Sequence, residues 1–498
     1  MMQHELLLPT WPSYNFTCSP FDTKVLYDDQ ERDRCVVDGW DFSYSFITSP
    51  EDSSVMSSDS YIPEAVVQNE YFVLKETCNE FQTCSDMDGL ETISRGDIES
   101  ICEWINEDGM EGDGGLNPPL SSYSNALNQT DMELTLINLL RAYGEAVENG
   151  EKELGEVVVG AINDKSSPIG NTTERVAYNL FGSREGQGEH MRDEAAKNLI
   201  AAFRVMYQSL PDGRVAHFTA NMAILDSIPD NAGVVRIVDF DIGEGVQWPP
   251  MMEALSQKGM TLRLTSLRTK EECNYSFWKF EDTKEWLLSQ AKQCGVKLQV
   301  EKKTVEEIGI EMMRIQRKDQ GREWVVFNCM VGLPHMGRRR PRTSVEGFLK
   351  EAKAMVDDYE GIVVLGDGET MENLLSSSGY ASYFDCLRRH YQAVFESLEK
   401  NIPIYISKAR AAMESLFLGP LMCPVAWLRD WEETRRSCNF QKETRLEGRK
   451  LRLESLVEAK EMVVQGGNSY SVTIEGVGDH EMVLRWKETI LVRVSIWM

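Results

Sequence analysis

The sequence predicts an α/β fold: a doubly wound, mostly parallel sheet with a helical cap before it and antiparallel edge strands after it. Three observations point there. Strand-length runs alternate with helix-length amphipathic stretches from residue 231 to about 400, which implies right-handed crossovers and parallel pairing. The stretch Val235–Pro250 runs from β-branched residues through Gly243 and Gly245 into a helix opened by Pro249-Pro250. That is the plan of a nucleotide-binding unit. Residues 470–498 hold three apolar runs joined by short links, the signature of hairpins.

Residues 1–128 show no sustained helical or strand period. They are rich in Ser, Asp and Glu, with Trp11, Trp40, Phe42, Tyr44, Phe46 and Trp104 among the aromatics scattered through the acids. Asn106–Gly115 reads as a linker. Such a composition buries too little apolar area to offset ordering entropy, so a disordered acidic tail is expected. Interleaved acids and aromatics suit an activation segment that recruits a partner; a solubilising tail is the plainer alternative.

The folded part is expected over 129–498, with a helical cap at 129–230 and an α/β core at 231–498. In the cap, Met132, Leu136, Leu139, Leu140, Tyr143 and Val147 keep helical spacing between about Thr130 and Asn149-Gly150. Further helices are expected over 151–163, 172–181, 193–207 and 218–228. This leucine-rich block serves packing, or it offers a groove to another protein through Leu136, Leu139, Leu140, Leu199 and Phe203. In the core, strands are expected at 234–240, 261–267, 296–300, 324–329 and 361–365, with helices at 250–257, 282–294, 344–358 and 380–399. A helix near 446–458 then leads to edge strands at 470–474, 481–486 and 489–496.

Composition narrows the function. The chain has 498 residues and 42% apolar content, enough for a sizeable core. No run of about 18 apolar residues appears, so no membrane span is expected. Met1–Pro12 does not resemble a secretory signal. The 11 cysteines are scattered, which favours a reducing compartment. Net charge is −28, and the first 128 residues alone hold 25 acidic and 5 basic residues. An anionic chain lacks the bulk attraction behind non-specific DNA binding, although a local basic patch remains open to phosphate.

The glycine turn is the first candidate site. Gly243 and Gly245 fill two positions of the dinucleotide pattern G-x-G-x-x-G, but Trp248 takes the third, where a small residue is needed. Pro249 removes a backbone N–H. The second strand, Leu262–Leu267, ends without the acid that a ribose hydroxyl requires. Asp239 remains a first-strand acid of methyltransferase type. On balance no cofactor is expected, and Asp239, Asp241, Gln247, Trp248 and Pro249 are read as bracing a vacated pocket. The six histidines form no local ligand set, so no metal and no catalytic residue is expected. His217 reads as a packing residue. Arg338, Arg339, Arg340 and Arg342 form a basic loop that suits a nuclear import signal, a phosphate patch or a solvated surface, and Arg435–Lys450 carries the same ambiguity.

At this point the residues resemble a known family. Val235–Pro250, with its Asp-Phe-Asp-Ile and Gln-Trp-Pro, looks like the VHIID region of the plant GRAS proteins. Leu136–Val147, Ser167-Pro168 ahead of Arg175, and His217–Ile224 are similar to the family's first leucine-rich block. Leu262–Thr265 resembles its L-R-I-T strand, Tyr383–Leu398 its PFYRE helix and Val494–Trp497 its closing SAW motif. Gly243–Pro250 looks most like the nodulation-signalling branch. There are departures. Arg236 replaces the usual His, Gly366–Glu369 stands where V-E-Q-E is common, and Phe417–Leu421 lacks the Arg-Glu that commonly follows Leu-Gly.

The resemblance implies a methyltransferase-like core with a helical cap, in a nuclear transcriptional regulator. It further implies that the cap binds other GRAS proteins as heterodimers, or transcription factors, with DNA contacted through the partner. Symbiotic signalling in nodulation and mycorrhization, and control of strigolactone synthesis genes, would be its setting. The rival readings are an S-adenosylmethionine-dependent methyltransferase and a direct DNA-binding factor.

Overall fold

β1 (Val234–Asp239) is buried along nearly its whole length and takes the middle of the parallel sheet, because residues 235, 237 and 238 are apolar on both faces. The computed structural model describes residues 122–498, apart from 183–191, 194, 269–276, 317–322, 359–360, 370–373, 375, 403–406, 437–446 and 465–468. The expected disordered tail lies outside these residues up to 121. So does most of the basic stretch Arg435–Lys450.

One sheet of eight strands has the order β3-β2-β1-β4-β5-β8-β7-β6. β1, β2 (Thr261–Leu267), β3 (Lys297–Lys303), β4 (Glu323–Val331) and β5 (Gly361–Asp367) are parallel. β6 (Tyr470–Glu475), β7 (Glu481–Trp486) and β8 (Thr489–Trp497) add on antiparallel, β8 against β5. The doubly wound sheet with antiparallel edge strands is therefore as expected. The β1–β4 register sets Asp239 opposite Asn328, and that pairing builds the site described below. On one face Val238, Phe240, Phe327, Phe348 and Val363 form a continuous core.

Among the described residues five helices are bounded before β1: α1 (Ser122–Glu148), α2 (Lys152–Asn163), α3 (Thr172–Phe181), α4 (Leu199–Ser209) and α5 (Pro211–Ser227). α1 starts at Ser122, earlier than the helix expected from about Thr130. Asn171 caps α3, its side chain accepting from the Glu174 backbone N–H at 2.9 Å. The following helices are α6 (Trp248–Gln257), α7 (Phe280–Cys294), α8 (Val305–Gln316), α9 (Arg342–Asp358), α10 (Tyr380–Asn401), α11 (Ser407–Met413), α12 (Pro424–Arg436) and α13 (Leu453–Val464). α8, α11 and α12 were not expected from the sequence.

The helix expected near 446–458 is displaced. Residues 447–451 run extended along β8 instead: Arg449 donates its backbone N–H to Ile496 O and Leu451 to Asp479 O, each at 2.9 Å. Only then does α13 begin.

α1 packs antiparallel on α10. Gly144 lies so close that a Cβ there would meet the Ala381 Cα at 3.3 Å, and Tyr143 tilts onto Phe384 at 5.3 Å. A buried charge cluster ties the cap down. Arg175, fully buried on α3, reaches Glu414 at 3.2 Å and Glu399 of α10 at 2.9 Å. Burial pushes the Glu414 carboxyl up to about 7, against the pull of Arg175 and Arg410. The apolar helical stretch Ser407–Thr434 belongs to this core, with Leu416, Phe417, Leu418 and Trp427 fully buried.

Candidate functional site

In an open α/β sheet the ligand crevice lies at the carboxyl ends of the strands where the winding reverses. Here the chain winds from β1 to β2 and β3 on one side, and through β4 and β5 on the other. The reversal falls between β1 and β4. Asp239 ends β1, and the turn Asp241–Gly245 follows.

This turn is packed rather than open. Gly243 and Gly245 have φ of 52° and 78°, the left-handed region that favours glycine. The Gly243 carbonyl accepts the Thr283 hydroxyl of α7 at 2.8 Å. A Cβ on Gly245 would lie 3.0 Å from Thr283 and 3.2 Å from Leu287. Where the dinucleotide pattern keeps its third glycine, Trp248 is completely buried and donates its indole N–H to Asp239 Oδ2 at 3.1 Å. Pro249 is buried beside it in the first turn of α6. Trp248 and Pro249 thus occupy the position that the pattern leaves to the third glycine.

Asp239 anchors a buried polar network. Asn328 donates to Asp239 Oδ1 at 3.2 Å and to Gln247 Oε1 at 3.1 Å. The Gln247 amide donates to Asn328 Oδ1 at 3.2 Å and to Asn221 Oδ1 at 3.3 Å, while Asn221 donates to the Gln247 backbone carbonyl at 2.7 Å. One network thus links α5, β1, β4 and the start of α6. Burial pushes the Asp239 carboxyl up to about 7, the hydrogen bond from Asn328 opposing it and the nearby Asp241 adding to it. Sequence reading missed Asn328 and Asn221. A lone amide inside the apolar run of β4 is a detectable signal, because it requires buried partners.

The basic loop does not face solvent. Arg338 and Arg340 both clamp Asp241: the Nε of each donates to Asp241 Oδ2, at 2.6 and 2.7 Å. Arg339 reaches Asp430 at 2.6 Å and Glu369 at 3.1 Å, and Arg342 pairs with Glu346 at 2.7 Å. Their side chains are only 10–19% exposed. The solvated-surface and phosphate-patch readings of Arg338, Arg339, Arg340 and Arg342 are corrected: these guanidiniums pair with the chain's own carboxylates. Burial works to raise the Asp241 carboxyl, but the two arginines outweigh it and hold it below its usual range.

Under the loop sits an aromatic cage. His335 meets His217 edge-on at 5.1 Å between ring centroids, and Tyr207 lies 5.0 Å from His335. The Tyr207 hydroxyl is 3.1 Å from His217 Nδ1. Glu244 Oε1 stands at ion-pair distance from His335 Nε2, 3.0 Å, outside hydrogen-bond angles. Burial, with a contribution from His335, drives His217 well below the usual histidine range, so its ring is a neutral packing element.

The cap residues read as partner contacts divide. Leu136, Leu140 and Phe203 are at most 5% exposed, enclosed by the chain's own core, and so are corrected. Leu139 and Leu199 are half-buried. The exposed apolar residues of the first helices are others: Met132, Leu134, Leu154 and Val157.

The turn thus keeps the plan of a nucleotide-binding unit, with Trp248 packed at its end and Asp241 clamped by two arginines. Residues 136–498 match the model of the GRAS domain family. The chain belongs to the GRAS domain family. Its GRAS relatives include Protein NODULATION SIGNALING PATHWAY 2 of Lotus japonicus, 29% identical over 73% of this chain and 76% of that protein. Scarecrow-like protein 26 of Arabidopsis thaliana is 26% identical over 73% of this chain and 78% of its own length. The crystal structure of SCL7 in Oryza sativa superposes with a TM-score of 0.51 at 20% identity, covering 74% of this chain and 99% of that one, and so shares the fold. GRAS proteins are plant transcriptional regulators, generally nuclear and generally non-enzymatic.

Proposed function

We propose that this chain is a nuclear co-activator that works by docking its helical cap onto a second GRAS protein, which carries the DNA contact. One observation supports this most. α2 buries Gly155, Val158 and Ile162 along one stripe, yet Leu154 and Val157 stand 48% and 71% exposed on another. A helix apolar on two faces, on the outside of a GRAS cap, suits a protein partner. The acidic and aromatic residues of 1–128 would recruit the transcription machinery. The net charge and the internal pairing of Arg338–Arg342 favour indirect DNA contact. The relatives named for nodulation signalling support a place in symbiotic signalling, and strigolactone synthesis genes are proposed as targets beyond what those names say.

The test is co-purification of full-length protein with GRAS-domain partners from plant nuclei. Leu154→Glu with Val157→Glu is expected to abolish recovery of the partner while leaving the melting temperature unchanged. Undiminished recovery would overturn the docking face.

A further inference from the structure

A second apolar surface lies far along the chain from the cap. Between α13 and the β6–β7 hairpin runs a groove of about 330 Å³, lined by Leu453, Leu456, Lys460, Ile474, Lys450 and Asp479. Apolar side chains stand out around it: Leu453 at 67%, Val457 at 55%, and Val477 at 96% in the hairpin turn. Val477 sits between Gly476 and Gly478, both at positive φ. Clustered apolar exposure of this kind marks a contact surface.

The rim is basic. Lys450 and Lys460 line the groove with one carboxylate, Asp479, while Arg449 and Arg452 line an adjoining hollow with Asp226, beside which Glu454 and Glu458 also stand. Asp226, whose side chain is mostly buried, pairs with the exposed Arg452 at 3.1 Å, and Asp479 is held by a solvent-facing pair with Lys450 at 3.0 Å. Exposed pairs of this kind exchange partners at little cost. Glu454, Glu458 and Glu461 follow each other at helical spacing on the next face of α13, away from the Leu453–Leu456–Lys460 row.

We propose that this groove is the docking site of the chain's own segment Asp97–Asp108. The segment carries Asp97, Glu99, Glu103, Glu107 and Asp108, with no Lys or Arg. Ile98, Ile101, Cys102 and Ile105 recur at i, i+3, i+4 and i+7, the stripe of a helix laid into a groove, and Gly109 follows as a stop. Its charge and its apolar row complement the rim and floor.

The path of the chain allows it. Glu148 of α1 accepts the Ala381 backbone N–H and Arg141 pairs with Asp385, so α1 runs antiparallel to α10. Followed backwards to Ser122, α1 leads to the C-terminal end of α10. There Asn401 donates to the Tyr470 hydroxyl at 2.9 Å and Lys400 reaches Ser469 at 3.0 Å, at the start of β6. The residues Gly109–Ser121 span up to about 45 Å when extended. β6 itself covers about 20 Å. Tethering at this length raises the local concentration of the segment to about the millimolar range, so a weak contact is sufficient.

Hydrogen exchange on the full-length chain tests the proposal. Amides of 97–108, 453–460 and 473–479 are expected to exchange about tenfold faster in Ile101→Asp/Ile105→Asp, which alters only the docking segment. Leu453→Asp, at an exposed position, is expected to release the segment in the same way. Carbodiimide should join Lys460 or Lys450 to Glu99, Glu103 or Glu107 within one chain at all protein concentrations. Exchange at 453–460 and 473–479 that ignores the segment variant would overturn the assignment. Crosslinks found only between chains, rising with concentration, would replace it with a second copy as the occupant.

Discussion

Trp248 donates its indole N–H to Asp239 across 3.1 Å and closes the end of β1 where a nucleotide-binding fold keeps its crevice. Removing the ring should therefore open a cavity without restoring a function. Trp248→Gly is expected to lower stability by about 3–5 kcal/mol, the range for deleting a buried aromatic. Trp248→Phe keeps much of the volume and removes the donor, for about 1–3 kcal/mol. Calorimetry with S-adenosylmethionine should give no heat of binding for either variant. An unchanged melting temperature in Trp248→Gly would remove the bracing role.

Asp239 makes the stability depend on pH in a direction opposite to the usual carboxylate. Its folded-state value, about 7, lies above the unfolded one near 3.8. The folded state therefore holds the proton more tightly, and this contribution is full below the unfolded value and fades as pH rises through about 7. Asp239→Asn cannot lose a proton. Relative to the parent, the variant should gain stability from pH 5 to about pH 7 and level off above it, whatever its offset. Urea midpoints across that range check it; parallel curves would show that Asp239 is ionised throughout.

The Arg338–Asp241–Arg340 clamp predicts a structural phenotype for a loop that looks like a targeting signal. Arg338→Gln leaves Asp241 buried with one cation fewer, and the loss of a buried partner costs about 3–5 kcal/mol. Nuclear accumulation of a fluorescent fusion carrying the milder Arg340→Lys should match the parent at permissive temperature. A selective loss of import by a variant that melts normally would return the loop to a signalling role.

How much was legible follows from what each signal measures. Apolar period located the strands of the core, because burial on both faces writes itself into Val, Ile and Leu. The same signal marked Leu136, Leu140 and Phe203 correctly as apolar and helical, but a period does not tell which protein covers a face. The arginine loop misled for a related reason: charge density is visible in sequence, while Asp241, Glu369 and Asp430 lie 97, 30 and 91 residues away from the arginines they neutralise. The Trp248 substitution was legible because a spacing rule forbade it. Asn328 and Asn221, the partners of Asp239 and Gln247, were not, since the network joins residues from four separate elements.

The same distinction gives a paired prediction for the cap. Leu140→Ala should cost about 2–5 kcal/mol, since the side chain is fully buried. Val157→Ala should stay within about 0.5 kcal/mol, as at other exposed sites. Partner capture should respond the other way round at a temperature where both variants are folded. Equal stability losses would show that α2 is covered within the chain itself.

Arg236, buried at the middle of β1, offers the last test. Its side chain is 2% exposed and pairs with Glu323 of β4 at 2.8 Å and Glu311 of α8 at 3.1 Å. The two sides of this triad are not equivalent. Glu311 also takes Lys303 at 2.6 Å, and Glu323 also takes Arg263 at 3.4 Å, while Glu311 is a third exposed. The carboxylates thus retain a cation when Arg236 is lost. When Glu323 is lost, Arg236 keeps only the part-exposed Glu311, which it shares with Lys303, and a guanidinium does not shed its proton. Glu323→Ala is therefore expected to cost about 3–5 kcal/mol, and Arg236→Met clearly less. Arg236→Met combined with Glu323→Leu should recover most of the loss, read as a denaturant midpoint at constant slope. A larger loss for Arg236→Met than for Glu323→Ala would mean that the guanidinium serves a contact beyond these two carboxylates.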